Sequence, residues 1–257
     1  DARRQPGSSL KPLSAYGTAM DNGIVTPDST IYDRALMEDE EGNPWPMNDG
    51  KYPTGRQLTI KEGMTRSLNT VSAQLLKTLT PQVSFNFLTQ QLGFKLVDSR
   101  TNEDGTVQSD IDLAPLALGA LTDGVTVREM AGGFSTFIND GVCGGTRTYT
   151  KVTDSEGNTV MENTPNTDKG FTNVRTDYYM LDCLQNVTAH GTAYGIQLDG
   201  VETGGKTGTT TSNTDIWFCG ITPKYSGAVW VGYEHNYRLD GLYGRNAANI
   251  LLAVMQK

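Results

Sequence analysis

Several features that mark other classes of protein are missing from this chain of 257 residues. It contains no run of eighteen apolar residues and no signal peptide, so we expect no part of it to cross a membrane. Lys and Arg number 21 against 29 Asp and Glu, which gives a formal net charge of −8. Nucleic-acid-binding domains carry the opposite balance, so we expect no nucleic-acid partner.

Cysteine and histidine are also scarce. Cys143, Cys183 and Cys219 are widely spaced and form no Cys-x-x-Cys pair. This pattern is typical of small buried thiols rather than of zinc or redox sites, although one disulfide with a leftover thiol also fits. The only histidines are His190 and His235, and no Gly-x-Ser-x-Gly occurs, which argues against a histidine-based serine triad. We predict neither a metal nor a cofactor.

The apolar spacing predicts helices through most of the chain. The predicted helices cover residues 8–20, a short segment from 59, a segment ending at 80, and residues 81–92, 126–138, 175–187 and 243–256. Capping boxes at 59–62 and 126–129 mark two of the starts. The polar stretches 26–57 and 98–112 are predicted to be surface loops.

Shorter segments near the end of the chain predict strands. Residues 147–153 and 159–162 flank a turn and are expected to form a hairpin. Residues 204–211, 215–222 and 227–233 are expected to form an antiparallel meander. The predicted fold is therefore of the α/β class, more narrowly α+β, with a helical subdomain and an antiparallel sheet flanked by helices.

A serine three residues before a lysine is the first candidate for chemistry. Ser8 and Lys11 follow a Pro-Gly turn at the start of a predicted helix, and positions i and i+3 share one helix face. A lysine that loses its proton in a desolvated pocket is a general base, and a serine beside a base is a nucleophile. Ser-x-x-Lys alone is a weak signal, and a surface lysine on a helix is an equally good interpretation.

A second candidate pair, Ser67 and Asn69, falls between two predicted helices. A hydroxyl and a carboxamide two residues apart can both point into a cleft from a tight connection, where they could relay a proton and bind a peptide group. Ser84 and Asn86 have the same spacing but lie within an apolar helix, so we interpret them as structural.

The third candidate is Lys206-Thr207-Gly208-Thr209, on a predicted strand. Glycine lets backbones approach closely, a strand edge can pair with an extended peptide, and the Lys and Thr side chains can hold a carboxylate. Residues 200–207 also match the letters of a phosphate-binding loop. A strand should precede such a loop and a long apolar helix should follow it, and neither is predicted here.

The three motifs occur in the order known from penicillin-binding proteins and active-site serine β-lactamases. The chain resembles the transpeptidase domain of penicillin-binding proteins, most closely the bifunctional class A type, over essentially its whole length. The segments that carry the resemblance are residues 4–12, 66–69, 205–210, 215–220 and 229–233. The resemblance implies one penicillin-binding transpeptidase domain over residues 1–257.

The resemblance also implies a role for each motif residue. Ser8 would attack the carbonyl between the last two D-alanines of a peptidoglycan stem peptide, and Lys11 would take its proton. Ser67 would pass a proton to the leaving amine, and Asn69 would bond the substrate backbone.

The remaining implied roles belong to the Lys-Thr-Gly segment. Lys206, Thr207, Gly208 and Thr209 would bind the substrate, with Lys206 and the two threonine hydroxyls orienting its terminal carboxylate. The backbone N–H groups of Ser8 and Thr209 would form an oxyanion hole. An amine of a neighbouring stem peptide would accept the acyl group, and β-lactams would leave Ser8 stably acylated.

Three other functions share these motifs. A class A β-lactamase would carry Ser-Asp-Asn and a deacylating glutamate, whereas this chain has Ser67-Leu-Asn69 and no obvious candidate glutamate before Lys206. A D,D-carboxypeptidase, with water as acceptor, and a non-catalytic β-lactam sensor domain remain compatible with the sequence.

Only seven residues precede Ser8, whereas two strands precede this motif in the family. We therefore expect an N-terminally truncated segment, or one completed by another chain, with the glycosyltransferase domain and membrane anchor lying outside it. The expected location of the parent protein is the extracytoplasmic face of a bacterial cell membrane, in association with the cell-wall synthesis machinery.

Overall fold

A three-stranded antiparallel sheet near the end of the chain carries helices on both faces. The computed structural model describes residues 2–39, 41–165, 167 and 169–256. Within them the helices are α1 (Thr18–Asp21), α2 (Ile60–Thr65), α3 (Asn69–Leu79), α4 (Pro81–Asn86), α5 (Leu113–Leu118), α6 (Val127–Ser135), α7 (Thr176–His190) and α8 (Gly244–Met255). Shorter helical pieces are the 3-10 turns Gly7–Ser9 and Thr136–Ile138 and the π-helical stretches Pro12–Gly17 and Phe87–Gln91.

The strands comprise four small hairpins or pairs and the main sheet. They are β1 (Thr30–Tyr32), β2 (Met37–Glu38), β3 (Pro44–Trp45), β4 (Gln57–Thr59), β5 (Arg100–Thr101), β6 (Val107–Gln108), β7 (Lys151–Thr153), β8 (Thr159–Glu162), β9 (Gly204–Thr209), β10 (Asp215–Ile221) and β11 (Ser226–Gly232). The main sheet has the order β11-β10-β9. Both the predicted hairpin, β7 with β8, and the predicted meander are confirmed.

The two faces of the main sheet are covered by different helices. Gly220 and Gly227 lie against Leu251 of α8 on one face, where an added Cβ would come within 2.8 Å and 2.6 Å of it. On the other face Ser226 Oγ donates to Ala131 O of α6 at 3.0 Å, and Gly204 lies against α7. The predicted antiparallel sheet flanked by helices is confirmed.

Predicted helix ends are also confirmed where a specific cap was identified. Thr126 accepts a hydrogen bond from the N–H of Glu129 at 3.0 Å, and the Glu129 carboxylate accepts one from the N–H of Thr126 at 2.7 Å. Thr59 caps α2 by accepting from the N–H of Glu62. These side chains satisfy N–H groups that have no partner inside the helix.

The prediction of one regular helix over residues 8–20 is wrong in its geometry. The segment is a 3-10 turn followed by a π-helical stretch and only then by α1. Ser14 Oγ donates to Leu10 O at 3.2 Å and Thr18 Oγ1 donates to Leu13 O at 2.6 Å, so hydroxyls compete with N–H groups for the carbonyls of this segment. The predicted apolar positions are nevertheless all buried.

The loop predicted over residues 98–112 contains a short hairpin, β5 with β6, and leads into α5, which the sequence did not predict. Asp112 caps α5 by accepting from the N–H of Leu113 at 2.6 Å. Leu116 and Ala117 are buried against the core. The helix has only six residues, too few for a clear apolar period, so its burial stabilises it rather than its propensity.

The stretch predicted to be a surface loop over residues 26–57 contains a buried carboxylate. Asp33 is only 2% exposed and accepts hydrogen bonds from Asn48 Nδ2, Thr70 Oγ1 and both the N–H and hydroxyl of Thr54, at 2.7 to 2.8 Å. Burial raises the pKa of Asp33, but these donors outweigh it and hold the pKa below the usual value. The segment is thereby fixed against α3, which carries Thr70.

The three cysteines are free thiols and all are buried, as predicted. Burial raises the pKa of Cys183 to about 12. No helix among residues 2–39, 41–165, 167 and 169–256 is long and apolar enough to cross a membrane.

Replacing Asp33 tests whether this carboxylate holds the 26–57 segment in place. Asp33→Ala should lower the free energy of unfolding by about 3 kcal/mol, because buried donors lose a charged acceptor. The measurement is urea denaturation followed by circular dichroism. Glu38→Ala, at an exposed position of the same segment, is the control and should stay within about 0.5 kcal/mol of the parent. Equal effects of the two changes would contradict the assignment.

Candidate active site

The 3-10 turn that carries Ser8 is pressed against strand β9. A Cβ added to Gly208 would lie 2.3 Å from Pro6 O, and one added to Gly7 would lie 2.6 Å from Thr209 O. Gly7 also has a positive φ of 52°, which glycine adopts without a steric penalty. Glycine at 7 and 208 therefore lets two backbones touch, and this contact brings Ser8 beside the strand. Ser8 is partly exposed.

The residues before this turn are tied to the sheet. Trp217, fully buried on β10, donates from Nε1 to Gln5 O at 2.9 Å. Arg4 Nε lies 2.7 Å from Asp215 Oδ1, and its guanidinium carbon lies 5.1 Å from the centre of the Trp230 ring. These contacts fix the approach of the chain to Ser8.

Lys11 is fully buried and its amine is bonded to the second motif. Nζ donates to Ser67 O at 2.8 Å and to Asn69 Oδ1 at 2.6 Å. Burial lowers the pKa of Lys11 well below its usual range, and the nearby charge of Lys206 lowers it further, although Asp49 acts in the opposite direction. The neutral amine is thereby favoured.

Lys206, on β9, is the second fully buried lysine. Its Nζ donates to Ser67 Oγ at 2.8 Å and to Thr207 O at 3.0 Å. Burial lowers the pKa of Lys206 to about 7. At neutral pH this amine can therefore either carry a proton or release one.

Ser67 thus lies between the two buried amines. It has a positive φ of 58°, unusual for a residue with a side chain, and it follows α2 in the turn that leads to α3. The N–H groups of Ser67 and Leu68 donate to Met64 O and Gly63 O, both at 2.9 Å. The turn places the Ser67 carbonyl toward Lys11 and the hydroxyl toward Lys206, as the two hydrogen bonds require. The alternative Ser84 is buried and donates to Ser14 O at 2.7 Å, as expected for a structural residue.

The outer edge of β9 presents backbone groups to the site. Thr210 N donates to Asp215 O at 3.1 Å. In an antiparallel pair the hydrogen-bonded positions alternate, so the N–H of Thr209 points away from β10, toward the free edge. The Ser8 N–H lies in the first turn of its helical run, where no preceding turn supplies an acceptor.

Thr207 and Thr209 alternate with Lys206 along the strand. Thr207 Oγ1 lies 2.8 Å from Thr192 Oγ1, and Thr209 is exposed. Thr192 follows Gly191, where an added Cβ would lie 2.3 Å from Thr65 O. The turn after α7 therefore bridges the second motif and the strand.

The structure brings the three predicted motifs together in one place. Sequence reasoning missed the carbonyl of Met47, which accepts from Asn69 Nδ2 at 2.8 Å, whereas Thr192 belongs to the segment 190–192 that the resemblance associates with the mouth of the site. The sequence signals for these two parts are the Gly191-Thr192 pair after a helix and the Asn48-Asp49-Gly50 turn after Met47. The helix predicted to end at residue 187 continues to His190, which is the last residue of α7 and is exposed. No group of three or more His, Cys, Asp or Glu side chains among the described residues could hold a metal ion.

A cavity of about 240 Å³ lies at the other end of β9, between α7 and the turn after β10. Its lining includes Asp177, Gln185, Glu202 and Ile221, and none of the three motifs contributes to it. It is therefore separate from the site described above.

The fold is that of the serine acyltransferase superfamily. A family model described as the penicillin-binding protein transpeptidase domain matches residues 1–256. The chain belongs to this family.

Individual relatives agree with this assignment. The chain is 31% identical over 261 residues to penicillin-binding protein 1A of Clostridium botulinum strain Hall, covering 99% of this chain and 30% of that protein. It is 33% identical over 233 residues to penicillin-binding protein 4 of Bacillus subtilis, covering 91% and 35%. The chain thus spans about a third of the length of these relatives.

A solved structure shares the fold. The penicillin-binding protein PonA1 of Mycobacterium tuberculosis superimposes with a TM-score of 0.78 at 24% identity, covering 99% of this chain and 68% of that one.

The lowered pKa of Lys206 makes stability depend on pH. Between the folded pKa of about 7 and the ordinary lysine pKa of 10.5, the unfolded chain binds one more proton at this lysine than the folded chain. The unfolding free energy should therefore rise with pH by about 1.4 kcal/mol per unit from this group. Lys206→Met should remove that part of the slope, measured by urea denaturation between about pH 7 and pH 8, below the ordinary thiol pKa of about 8.5.

Lys224→Met is the matched control, because Lys224 is exposed and its surroundings change little on unfolding. It should leave the slope unchanged. An unchanged slope in Lys206→Met would show that the Lys206 amine keeps its proton in the folded chain.

Proposed function

We propose that this chain is a D,D-transpeptidase domain that crosslinks peptidoglycan stem peptides through an acyl-enzyme at Ser8 and that β-lactams acylate the same serine. The observation that carries the proposal is the hydrogen bonding of Lys11. A neutral amine has two N–H groups and one lone pair, and both N–H groups of Lys11 are used by Ser67 O and Asn69 Oδ1. The lone pair is left to accept a proton.

Ser8 is the source of that proton. It lies one helical turn before Lys11, on the wall of the site formed by the turn Gly7–Ser9. As Ser8 Oγ attacks the carbonyl between the two terminal D-alanines, its proton passes to Lys11 Nζ. Burial, which favours neutral Lys11 beforehand, makes the amine available as a base near neutral pH.

Departure of the terminal D-alanine requires a proton on its nitrogen. Ser67 Oγ accepts a hydrogen bond from Lys206 Nζ and lies on the residue whose carbonyl accepts one from Lys11. The Ser67 hydroxyl can therefore give its own proton to the leaving amine and regain one from a lysine. The C–N bond breaks as the nitrogen takes that proton, and an ester to Ser8 remains.

Backbone and polar side chains hold the substrate in this scheme. The N–H groups of Ser8 and Thr209 stabilise the oxyanion, each contributing about 3 kcal/mol. The Thr207 and Thr209 hydroxyls bind the terminal carboxylate, with the charge of Lys206 beneath the strand. Gly208 keeps the strand close to the serine turn, as its contact with Pro6 indicates. Asn69 retains one Nδ2–H for a substrate carbonyl, since the other is bonded to Met47 O.

The acyl group then passes to an amine of a second stem peptide. On this proposal the domain acts at the extracytoplasmic face of a bacterial cell membrane, where peptidoglycan is assembled. It does so as part of a longer, membrane-anchored protein that works with the cell-wall synthesis machinery. Names of the relatives, which are penicillin-binding proteins, support penicillin binding as the first property to test.

Labelling by a fluorescent penicillin tests the nucleophile. The parent chain should form a covalent adduct visible after denaturing electrophoresis, and Ser8→Ala should abolish it because no acyl acceptor remains. Ser9→Ala is the matched control, since Ser9 is the adjacent serine and its hydroxyl is bonded to Pro6 O. Labelling that survives in Ser8→Ala, or is lost only in Ser9→Ala, would overturn the assignment. Two products of a stem-peptide substrate then distinguish the alternative functions. Release of D-alanine separates an enzyme from a β-lactam sensor, and formation of crosslinked dimers separates transfer to an amine from hydrolysis.

The role of Ser67 can be tested separately. Ser67→Ala should lower the acylation rate by a factor of about 10² to 10⁴, the range for loss of a proton-transfer group. The acylation rate is obtained from the amount of labelled protein after a series of quenched reaction times. Ser84→Ala shares the Ser-x-Asn spacing and removes a buried hydrogen bond, so it should change stability but not the rate by more than about twofold. Comparable losses in both variants would point to a structural role for Ser67.

A further inference from the structure

A tight turn between β3 and β4 carries an unpaired carboxylate. Asn48 and Lys51 exchange two backbone hydrogen bonds of 2.9 Å and enclose Asp49 and Gly50. The two enclosed residues have φ values of 48° and 72°, as in a type I′ turn. The Asp49 side chain is exposed, and it forms no hydrogen bond or ion pair with any other residue that the structure describes.

This turn is fastened to the helical wall of the site. Met47 O accepts the hydrogen bond from Asn69 Nδ2. Asn48 is buried, and its Oδ1 accepts from the N–H of Thr70 at 3.2 Å. The residues on either side of these contacts therefore cannot move away from the start of α3, and Asp49 is held beside the second motif.

The turn 48–51 holds Asp49 on the side of the site that carries Asn69, since Met47 and Asn48 are bonded to Asn69 and Thr70. The charge of Asp49 acts on Lys11, where it opposes the lowering of the pKa by burial and by Lys206. Asp49 is thus unfavourable for a neutral base, so support of Lys11 does not explain its presence. Thr207, Thr209 and Lys206 form the opposite wall on β9. The wall on β9 therefore suits an anionic group of a ligand, and the wall beside Asp49 offers a carboxylate to a cationic group.

We propose that the Asp49 carboxylate binds the ammonium group of the acyl acceptor and so favours transfer to an amine over transfer to water. The proposal rests on the proposed transpeptidase function. A stem-peptide amine is a cation near neutral pH, whereas the competing nucleophile, water, is uncharged. A carboxylate on a turn fastened beside the second motif raises the local concentration of the first and not of the second.

The transfer step replaces the ester bond to Ser8 with an amide bond. The bound ammonium group releases one proton to solvent, and the lone pair of the resulting amine forms a C–N bond to the acyl carbon. The bond from that carbon to Ser8 Oγ then breaks. A second proton leaves the nitrogen and reaches Ser8 Oγ through Lys11. The products are an amide and the free serine hydroxyl, with no oxidant or further reactant.

The test measures how the acyl-enzyme is partitioned between acceptors. A thioester analogue of the stem-peptide terminus serves as the donor, and D-alaninamide, hydroxylamine or water serves as the acceptor. D-alaninamide is largely cationic near neutral pH and hydroxylamine is largely uncharged. Asp49→Asn should lower the ratio of D-alaninamide product to hydrolysis product by about fivefold, the size of one partly exposed ion pair. The ratio for hydroxylamine should stay within twofold.

Asparagine adopts a positive φ readily and suits the first position of an Asn-Gly turn, so Asp49→Asn should preserve the turn. Glu103→Gln makes the same charge change at an exposed residue between β5 and β6 and should alter neither ratio. Equal losses with both nucleophiles, or no loss with D-alaninamide, would overturn the role of Asp49.

Penicillin labelling separates this proposal from the one on which it rests. Asp49→Asn should label at least as fast as the parent, because loss of this charge favours neutral Lys11. Absence of Ser8-dependent labelling in the parent chain would reject the proposed function, and the role of Asp49 would be rejected with it. Normal labelling with an unchanged D-alaninamide ratio would reject the role of Asp49 alone.

Discussion

Two lysine amines buried against one serine residue are the constraint on which the site depends. An isolated charge is strongly disfavoured in such surroundings, and two like charges are disfavoured further. Ser67 relieves part of this by accepting one hydrogen bond at its carbonyl from Lys11 and one at its hydroxyl from Lys206. Its left-handed backbone conformation is what turns these two oxygens toward different amines. Burial therefore lets the amines of Lys11 and Lys206 act as base and acid near neutral pH, and the proposed reaction uses neither a histidine nor a metal.

Sequence reasoning predicted what depends on local pattern. Strands β9 to β11, the caps of α2 and α6 and the three motifs all follow from residue spacing and turn chemistry, and the structure confirms the elements. Sequence reasoning missed features that depend on contacts between residues far apart in the chain. The Asp33 carboxylate is buried only because Asn48, Thr54 and Thr70 converge on it, and no local pattern reveals such a cluster. The π-helical stretch after Lys11 was missed for a different reason, since the hydroxyls of Ser14 and Thr18 bond carbonyls of the same segment and apolar spacing does not reveal such bonds.

Backbone contacts, rather than long side chains, set the distance between the serine turn and the strand. Gly7 and Gly208 each remove a Cβ that would collide with the opposite chain, and Gly119 does the same against Gly7, where an added Cβ would lie 2.1 Å from its carbonyl oxygen. Side-chain packing can relax by rotamer changes, whereas two backbones in contact leave little freedom. On the proposed function, the oxyanion donors and the nucleophile thus belong to one rigid unit, which is the arrangement that electrostatic catalysis favours.

The site is assembled from segments that lie far apart in the chain. Lys11 is bonded across 56 positions to Ser67, and Ser67 across 139 positions to Lys206. Contacts of such separation form only after large loops have closed, and they are the slow part of folding. A partly folded chain can contain Ser8 and Lys11 in one helical segment and still lack the hydrogen bonds to Ser67 and Asn69 that, on the proposed function, make Lys11 a base. On the proposed function, covalent capture of a β-lactam would therefore count native molecules specifically, and it would serve as a conformational probe during refolding.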